Sequence, residues 1–343
     1  PIPAPIPALR PMTSPGHDGA PALPTVEHGD GLKRRPDAGS ASSGGALWRF
    51  TPLTEPADLF VVLVSYNTAG LLHRCIEHLR TASAGRRVSV VIENTVNVGF
   101  GRANNQVLDR CNAPFVLLLN TDAYMAPDAL GHCLRHMEQQ PRCGVLGLRL
   151  VDEAGQGNGS ARDFPTPWRN FAIQTGLVKH RPDDRARARG TQVVDCDWVT
   201  GCFYLVRREV IDRIGLFDPR YFLYFEELDH CRAVHQAGWR VQCLLSSSVV
   251  HVGGASARSD GELTSAGNQL QALQIESELL YFRKHGGWPG LWLTLVLGLT
   301  ADAVLGLKGL LKGHGTSRLR PLAMHATTMW RLAWATRGGT RPT

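Results

Sequence analysis

The chain has 343 residues, of which 43% are hydrophobic, and its formal net charge is +7. This length and apolar content exclude a fully disordered chain, and the composition excludes a collagen, a coiled coil and a disulfide-dense mini-protein. The eight cysteines contain no CxxC pair and lie mostly in apolar runs, as buried thiols of a reducing compartment do. We therefore expect a cytoplasmic protein with a sizeable core.

The N-terminal segment 1–56 is predicted to be disordered. It is rich in Pro, Gly and Ser and has no apolar periodicity. It also lacks the uninterrupted apolar stretch of a secretory signal.

Apolar runs of strand length alternate with helical patterns from about residue 57 onwards. Leu59–Ser65 reads LFVVLVS, which is typical of a strand buried on both faces. Further strands are predicted at Val88–Ile92, Phe115–Leu119 and Cys143–Leu148, each preceded by a helix. This order predicts an α/β fold with a doubly wound, mostly parallel sheet and flanking helices.

The second half of the chain has a different pattern. Gly155–Arg189 is polar and is predicted to be a long loop region, whereas Asp197–Val206 and Val241–Val250 are predicted strands. Helices are predicted at 208–214, 226–237 and 269–285.

The C-terminal region 284–343 carries eight Lys and Arg residues and a single acid, Asp302. Trp288–Leu311 is apolar and close to the length of a bilayer span, but Asp302 would cost about 2.5–3.5 kcal/mol inside a bilayer. Tryptophans and arginines here are typical of interfacial helices. We favour a helix lying on an anionic membrane surface over a buried core or dimer helix and over a true span. No signature of a nucleic-acid-binding domain accompanies the basic region, so no nucleic-acid partner is expected.

Polar residues follow two of the predicted strands. Ser65-Tyr66-Asn67 and Asn120-Thr121-Asp122 would meet at the carboxyl edge of the sheet, where open α/β sheets bind ligands. Asp122 is either a ligand for a divalent cation that holds a diphosphate or an ordinary turn or capping aspartate. His251 ends another strand and is either a metal ligand or a structural histidine.

The segment Gly99–Asn104 matches the dinucleotide-binding pattern GxGxxG incompletely, because its last position is Asn. Asp122 lies near the distance at which that pattern requires an acid. An NAD-type oxidoreductase is therefore an alternative function. The simpler interpretation of these glycines is that they form a tight turn before a helix.

Glu226, Glu227 and Asp229 follow an aromatic run, Tyr221–Phe225. Carboxylates beside aromatic walls can have a raised pKa and act as general bases. Acids are also common in the first turn of any helix, so both interpretations stay open.

Together these pieces resemble the family 2 glycosyltransferases with a GT-A fold, in particular the rhamnosyltransferase-like branch that builds bacterial surface polysaccharides. The resemblance covers about 60–285, with a weaker match at 159–167. The segments that carry it, in this order, are VVLVSYN (61–67), NVGFGRANN (97–105), LLLNTDA (117–123), WVTGCFYLVRR (198–208), GLFDPRYFLYFEELDHCRA (215–233) and VVHVGGAS (249–256).

The resemblance implies an inverting, metal-dependent transfer from a nucleotide-diphosphate sugar to a lipid-linked or polysaccharide acceptor. Rhamnose or another deoxyhexose is the candidate sugar, and Mg²⁺ or Mn²⁺ is the expected cofactor. Residues 57–150 would form the nucleotide-sugar half of the domain and 151–285 the acceptor and catalytic half. The basic, helical region 286–343 would hold the protein at the inner face of the cell membrane, as a monomer or a dimer.

The resemblance also assigns roles. Asp122 matches the metal ligand of the DxD motif, whose first Asp is replaced by Asn120, and His251 helps to hold the metal. Glu227 matches the catalytic base, with Glu226 as its acidic neighbour and Asp229 as a supporting acid. The donor-binding positions are Ser65, Tyr66, Asn67, Asn97, Gly99, Gly101, Asn104, Asn120 and Thr121. The acceptor or sugar pocket comprises Trp198, Thr200 and Gly201.

One departure from the family pattern concerns the nucleotide base. Relatives carry a strand and loop reading like VVDNxSxDGS before the NxGFG motif, and this chain lacks it. Val88–Asn94 instead matches the later strand, with Glu93 as a candidate substitute for the missing Asp. A degenerate, non-catalytic scaffold is therefore a further alternative.

Overall fold

The computed structural model describes residues 50–65, 69–93, 97–157, 159–178, 191–252, 267–312 and 319–343. Most of the segment predicted to be disordered, as well as Tyr66 and Asn67, lies outside these residues. Residues Phe50–Pro342 form one unit.

An eight-stranded sheet organises this unit, in the order β2-β1-β3-β9-β5-β10-β4 with β7 beside β10. Strand β9 is antiparallel to both of its neighbours, β3 and β5, so β3 and β5 run in the same direction. Strands β1 and β2 are parallel to β3, and β10 is parallel to β5, so five strands run in one direction. The predicted mostly parallel α/β sheet of the GT-A type is confirmed. The strands are β1 Leu59–Val64, β2 Val88–Glu93, β3 Phe115–Asn120, β4 Ala123–Met125, β5 Cys143–Val151, β6 Ala161–Arg162, β7 Val193–Asp195, β8 Trp198–Val199, β9 Phe203–Arg207 and β10 Arg240–His251.

Helices cover the sheet and extend the chain beyond it. The helical conformation of the longest one is interrupted at Gly287, whose φ of 61° is a left-handed value that glycine adopts at little energetic cost. The helices are α1 Ala69–Ala82, α2 Phe100–Asn105, α3 Ala129–Gln139, α4 Pro167–Gln174, α5 Arg208–Ile214, α6 Glu226–Gln236, α7 Gly267–Leu311 and α8 Leu319–Ala335.

The core explains why the apolar runs form central strands. Five consecutive β1 residues, Leu59 to Leu63, are fully buried, so both faces of the strand are covered. None of the eight cysteines, all of which lie among the described residues, forms a disulfide, and seven of them are buried, as their apolar surroundings predict.

Two predictions for the second half were wrong. Gly155–Arg189 is not one loop, because it contains β6 and α4. Thr166 caps α4 by accepting a hydrogen bond from the Arg169 N–H at 3.1 Å, and Pro167 occupies the first turn. The single strand predicted at Asp197–Val206 is two strands, β8 and β9, separated by a turn at Gly201.

The sheet shows the predicted lack of the strand and loop that precede the NxGFG motif in relatives. Only residues 83–87 separate α1 from β2, which leaves room for a turn alone. Strand β2 pairs directly with β1, and no strand lies beyond it in the part of the chain that the structure describes. Glu93 stands opposite Val64 at the carboxyl end of this edge strand.

Beyond Gly287, the second part of α7 packs against α8 as a helical hairpin. Gly298 gives Met329 room to approach, since a β-carbon there would overlap the Met329 side chain. Asp302 pairs with His325 across the two helices at 2.8 Å. A buried apolar cluster joins the hairpin to the first part of α7 and comprises Ile275, Leu279, Leu291, Leu295, Met329 and Leu332.

Candidate active site

The carboxyl edge of the sheet brings Asp122 and His251 together. Asp122 follows β3 and is 1% exposed, and its carbonyl accepts a hydrogen bond from the Val252 N–H at 3.2 Å. This pairing sets the end of β10 beside the end of β3, so that Nε2 of His251 lies 3.4 Å from Oδ1 of Asp122. Ser65 and Thr121 are buried at the same edge.

The chemistry of this pair fits a divalent cation. Oδ1 of Asp122 is buried and has no hydrogen-bond partner among the described residues, an arrangement that is costly unless another group satisfies the oxygen. A carboxylate suits Mg²⁺ and Mn²⁺, and the imidazole beside it suits Mn²⁺ better than Mg²⁺. No cluster of three His, Cys, Asp or Glu side chains that could bind a metal occurs within the described ranges. A cation here would therefore take its other ligands from water and from phosphate oxygens.

Glu226 and Glu227 begin α6 and form a second acidic group. The Gly201 N–H donates to Oε1 of Glu227 at 3.4 Å, while one buried oxygen of each glutamate has no partner in the described part of the chain. Burial, together with the charge of Glu227, raises the pKa of Glu226 well above its usual range. Burial also raises the pKa of Glu227, but backbone N–H groups and Arg162 offset part of this effect. Both carboxyl groups therefore have a raised pKa, and more neighbouring groups favour the charged form of Glu227 than that of Glu226.

A strained turn presents these carboxyl groups. Tyr224 and Phe225 precede α6 with φ angles of 69° and 70°, a left-handed conformation that bulky residues rarely adopt. Such strain persists only where surrounding contacts hold it, and it is concentrated at functional sites.

The segment Gly99–Asn104 packs against this same turn. The Phe100 N–H donates to the Phe222 carbonyl at 3.0 Å, and a β-carbon on Gly99 would overlap that carbonyl. Gly101 lies against Phe217, where a β-carbon would be 3.2 Å away. The two glycines thus allow close packing against protein backbone and side chains, which favours the tight-turn interpretation over dinucleotide binding.

The amides of this motif make local contacts. Asn97 accepts the Gly99 N–H at 3.2 Å, and buried Asn104 donates to the Phe100 carbonyl at 2.9 Å. Asn105, which the sequence analysis did not single out, bonds the backbone of Phe217 through both its amide atoms. Donor contacts by Asn97 and Asn104 stay predictions.

The predicted acceptor pocket lies beside Glu227. Trp198 in β8 pairs with Arg162 in β6, and the Arg162 guanidinium lies 5.2 Å from the centre of the Trp198 ring. The indole N–H of Trp198 donates to the Asp163 carbonyl at 2.9 Å. Thr200 and Gly201 form the turn that follows. Arg162 was not among the predicted site residues, although it lies in the weakly matching segment 159–167.

The turn at Gly201 connects the two acidic groups. Gly201 donates to Glu227, and the carbonyl of the next residue, Cys202, accepts the Asn120 N–H at 3.0 Å. The residue pair Glu226-Glu227 and the pair Asp122-His251 therefore lie on either side of one short backbone turn.

Residues 55–268, more than half of the chain, match the family described as "Glycosyltransferase like family 2". The chain belongs to this family. The six ordered segments of the sequence analysis lie within the matched range.

Within family 2, the chain is distantly related to rhamnosyltransferases. It is 26% identical over 215 residues to the N-acetylglucosaminyl-diphospho-decaprenol L-rhamnosyltransferase of Mycobacterium tuberculosis, covering 56% of this chain and 66% of that protein. It is 28% identical over 163 residues to the rhamnosyltransferase WbbL of Escherichia coli K12, covering 45% of this chain and 60% of the relative. The chain thus spans less than two thirds of the length of these relatives.

Among solved structures, the chain is similar to the mannosyltransferase PcManGT from Pyrobaculum calidifontis in complex with GDP-Man and Mn²⁺. It is 14% identical, with a TM-score of 0.47 over 85% of this chain and 90% of that chain. GalNAc-T7 with UDP, GalNAc and Mn²⁺ is also 14% identical, with a TM-score of 0.43 over 66% of this chain and 47% of that chain.

The third acid of the candidate site, Asp229, has partners within the protein. It is 4% exposed, with Lys284 Nζ at 2.7 Å and His285 Nε2 at 2.6 Å. Burial acts to raise the pKa of Asp229, but the hydrogen bonds from His285 and Lys284 outweigh it and hold the pKa below its usual value. Lys284 and His285 were not among the predicted site residues; they lie at the end of the helix predicted at 269–285.

Proposed function

We propose that this family 2 protein is an inverting glycosyltransferase with Glu227 as its catalytic base. The observation that carries the proposal is a carboxyl group with a raised pKa and one oxygen without a hydrogen-bond partner among the described residues, one backbone turn away from a candidate metal ligand. A base with these properties can accept a proton near neutral pH.

In the proposed reaction, Glu227 takes the proton of an acceptor hydroxyl while the hydroxyl oxygen bonds to the anomeric carbon of the donor. The bond from that carbon to the diphosphate oxygen breaks on the opposite face, and the nucleoside diphosphate leaves with the electron pair. Asp122 and His251 would hold Mg²⁺ or Mn²⁺, which neutralises charge on a diphosphate. Glu227 is the member of the acidic pair that the Gly201 N–H and Arg162 support in its charged form.

The names of the relatives support a sugar and an acceptor class. Two of them are rhamnosyltransferases, and the name of one specifies a diphospho-decaprenol acceptor. We infer a donor carrying rhamnose or another deoxyhexose and a lipid-linked or polymeric glycan acceptor in surface glycan synthesis.

The C-terminal hairpin supports a place at a membrane surface. Gln269–Leu311 is long and apolar enough to cross a membrane by length and composition, and 28% of its most apolar window is buried. Trp292 and Trp334 are 50% and 72% exposed. Because Asp302 is paired with His325 inside the hairpin, we infer that the hairpin lies on the inner face of the cell membrane, with its tryptophans in the lipid headgroup region.

One observation favours a second candidate, a non-catalytic scaffold. The sheet lacks a strand beyond β2 among the described residues, and in relatives that strand contributes to the nucleotide site. A scaffold would keep the fold and lose donor binding.

Thermal unfolding with nucleotide sugars separates these candidates. The protein is heated with UDP-, dTDP- and GDP-sugars, each with Mn²⁺ and with EDTA, since a ligand of the native state raises the apparent melting temperature. A metal-dependent rise with one nucleotide class is expected from the transferase. No rise with any of them, in protein shown to be folded, supports the scaffold.

A further inference from the structure

One face of α7 contacts the segment that presents the base. Four residues of this face are separated by four, three and one positions, a spacing that places them on the same side of the helix. They are Ser277, Tyr281, Lys284 and His285. This face lies beyond residue 268, where the family match ends.

The first two of these residues hold the strained turn itself. Ser277 donates its hydroxyl hydrogen to the Leu223 carbonyl at 2.9 Å. The Tyr281 ring packs against Phe225, with 5.5 Å between ring centres. Both contacts fall within two residues of the left-handed pair Tyr224-Phe225.

The other two residues hold the ends of the same segment. Lys284 Nζ lies 2.9 Å from Oδ2 of Asp218 and 2.7 Å from Oδ2 of Asp229, so one ammonium group bridges residues 218 and 229. His285 adds a contact of 2.6 Å to the second oxygen of Asp229, and the centre of its ring lies 4.7 Å from that of Tyr281, with the two rings tilted by 55°.

We propose that Lys284 and His285 are positioning residues that hold Asp229, and through the first turn of α6 the base Glu227, in the reactive geometry. This inference rests on the proposed function. The two side chains do not touch the reacting atoms; they act through the segment 218–229.

Electrostatics gives the physical reason. Glu226, Glu227 and Asp229 place three carboxyl groups in one helical turn, where like charges repel. Lys284 and His285 compensate the buried Asp229, whose only other side-chain neighbour within hydrogen-bond distance, among the described residues, is the Tyr221 hydroxyl at 3.3 Å. Without the ammonium group, Asp229 is a buried and poorly compensated charge, and the strained turn is free to relax.

The test compares two pairs of variants. Lys284→Met removes the charge and Lys284→Arg restores it, whereas His285→Ala removes the ring and His285→Gln restores a donor at a similar distance. Lys312→Met is the matched control, because Lys312 is an exposed lysine directly after the end of α7 and outside this face. Steady-state kinetics with dTDP-rhamnose gives kcat and donor KM, and hydrogen exchange reports the opening of residues 223–229.

We expect Lys284→Met and His285→Ala to lower kcat by about 10- to 100-fold, with donor KM changed by less than about threefold. We also expect faster exchange at 223–229, unchanged exchange in β1 and β3, and recovery in the Arg and Gln variants. Unchanged kcat, or an equal loss in the Lys312→Met control, overturns the proposal. If one removal variant fails to fold, the other pair decides.

The exchange measurement keeps this inference separate from the proposed function. If the wild-type protein turns over no donor, the proposed function fails, and exchange at 223–229 alone tests the holding contacts. If the wild type is active and the variants match it in both readouts, only the positioning role is wrong.

Discussion

Glu227 and Gly201 are joined by a hydrogen bond from the Gly201 N–H to Oε1 of the carboxyl group, 3.4 Å long. A β-carbon at position 201 would lie 3.8 Å from the carboxyl carbon of Glu227 and 3.4 Å from the Phe100 ring. The next residue, Cys202, bonds the strand end that leads to Asp122. Backbone atoms of one turn therefore set the base candidate relative to the metal-ligand candidate.

The pH dependence of transfer reports the ionisation of Glu227. Burial raises the pKa of this carboxyl group and Arg162 lowers it, so activity rises with pH as the carboxylate forms. Loss of the positive charge in Arg162→Met raises the pKa further and moves the acidic limb of kcat/KM to higher pH. Rates measured from about pH 5 to about pH 9 check this.

The control for that shift is Arg135→Met, which removes an exposed arginine of α3. Its acidic limb should coincide with that of the wild type. An acidic limb that stays in place in Arg162→Met contradicts the electrostatic role of Arg162.

Metal binding depends on Asp122. Asp122→Asn is expected to weaken Mn²⁺ binding by about tenfold or more, measured by electron paramagnetic resonance with dTDP present. In EDTA the variant should melt at the same or a higher temperature, because Oδ1 of Asp122 has no hydrogen-bond partner among the described residues and its burial is costly without a cation. Asp109→Asn, at an exposed aspartate, is the control. Equal Mn²⁺ affinity in both variants argues against Asp122 as a ligand.

Acid should destabilise the fold through His230, which is 2% exposed. Burial lowers the pKa of His230 from 6.5 to about 4, and its ring contacts the Tyr204 hydroxyl at 2.6 Å. The unfolded imidazole takes up its proton near pH 6.5 and the folded one only near pH 4, so stability is lost as pH falls between these values. The difference corresponds to about 3 kcal/mol of unfolding free energy.

Denaturant unfolding at about pH 7 and about pH 5 measures this effect. His230→Gln should reduce the loss of stability between the two pH values, whereas His73→Gln, at an exposed histidine of α1, should not. The same pH dependence in both variants contradicts the assignment.

The hairpin prediction concerns lipid binding. The double variant Trp292→Gln/Trp334→Gln is expected to bind phosphatidylglycerol vesicles about tenfold more weakly in a sedimentation assay. Higher salt should weaken wild-type binding, because basic residues contribute. Leu53→Gln, at an exposed apolar residue outside the hairpin, is the control. Wild-type affinity in the double variant contradicts a membrane-facing role for these tryptophans.

The sequence predicted those parts of the site that depend on strand ends. β1 and β3 could be predicted because continuous apolar runs form buried parallel strands. Asp122 and His251 each follow such a run, and the shared edge of the sheet brings them within 3.4 Å. Residues at strand ends are thus placed by the topology alone.

Other contacts gave no signal in the sequence. Asp229 and Lys284 are 55 positions apart, and no periodicity relates the start of α6 to one face of α7. The left-handed turn at Tyr224-Phe225 also contradicts local preference, since aromatic residues rarely adopt it. Tertiary contacts decide both features, so only the folded chain reveals them.

The most direct test of the account is sugar transfer by Glu227→Gln. Release of nucleoside diphosphate is measured with the donor that stabilises the wild type, and Glu209→Gln on α5 serves as the control. The account predicts that kcat falls by about 10²- to 10⁴-fold in Glu227→Gln, with donor binding and melting temperature retained. Turnover at the wild-type rate in Glu227→Gln would contradict Glu227 as the base.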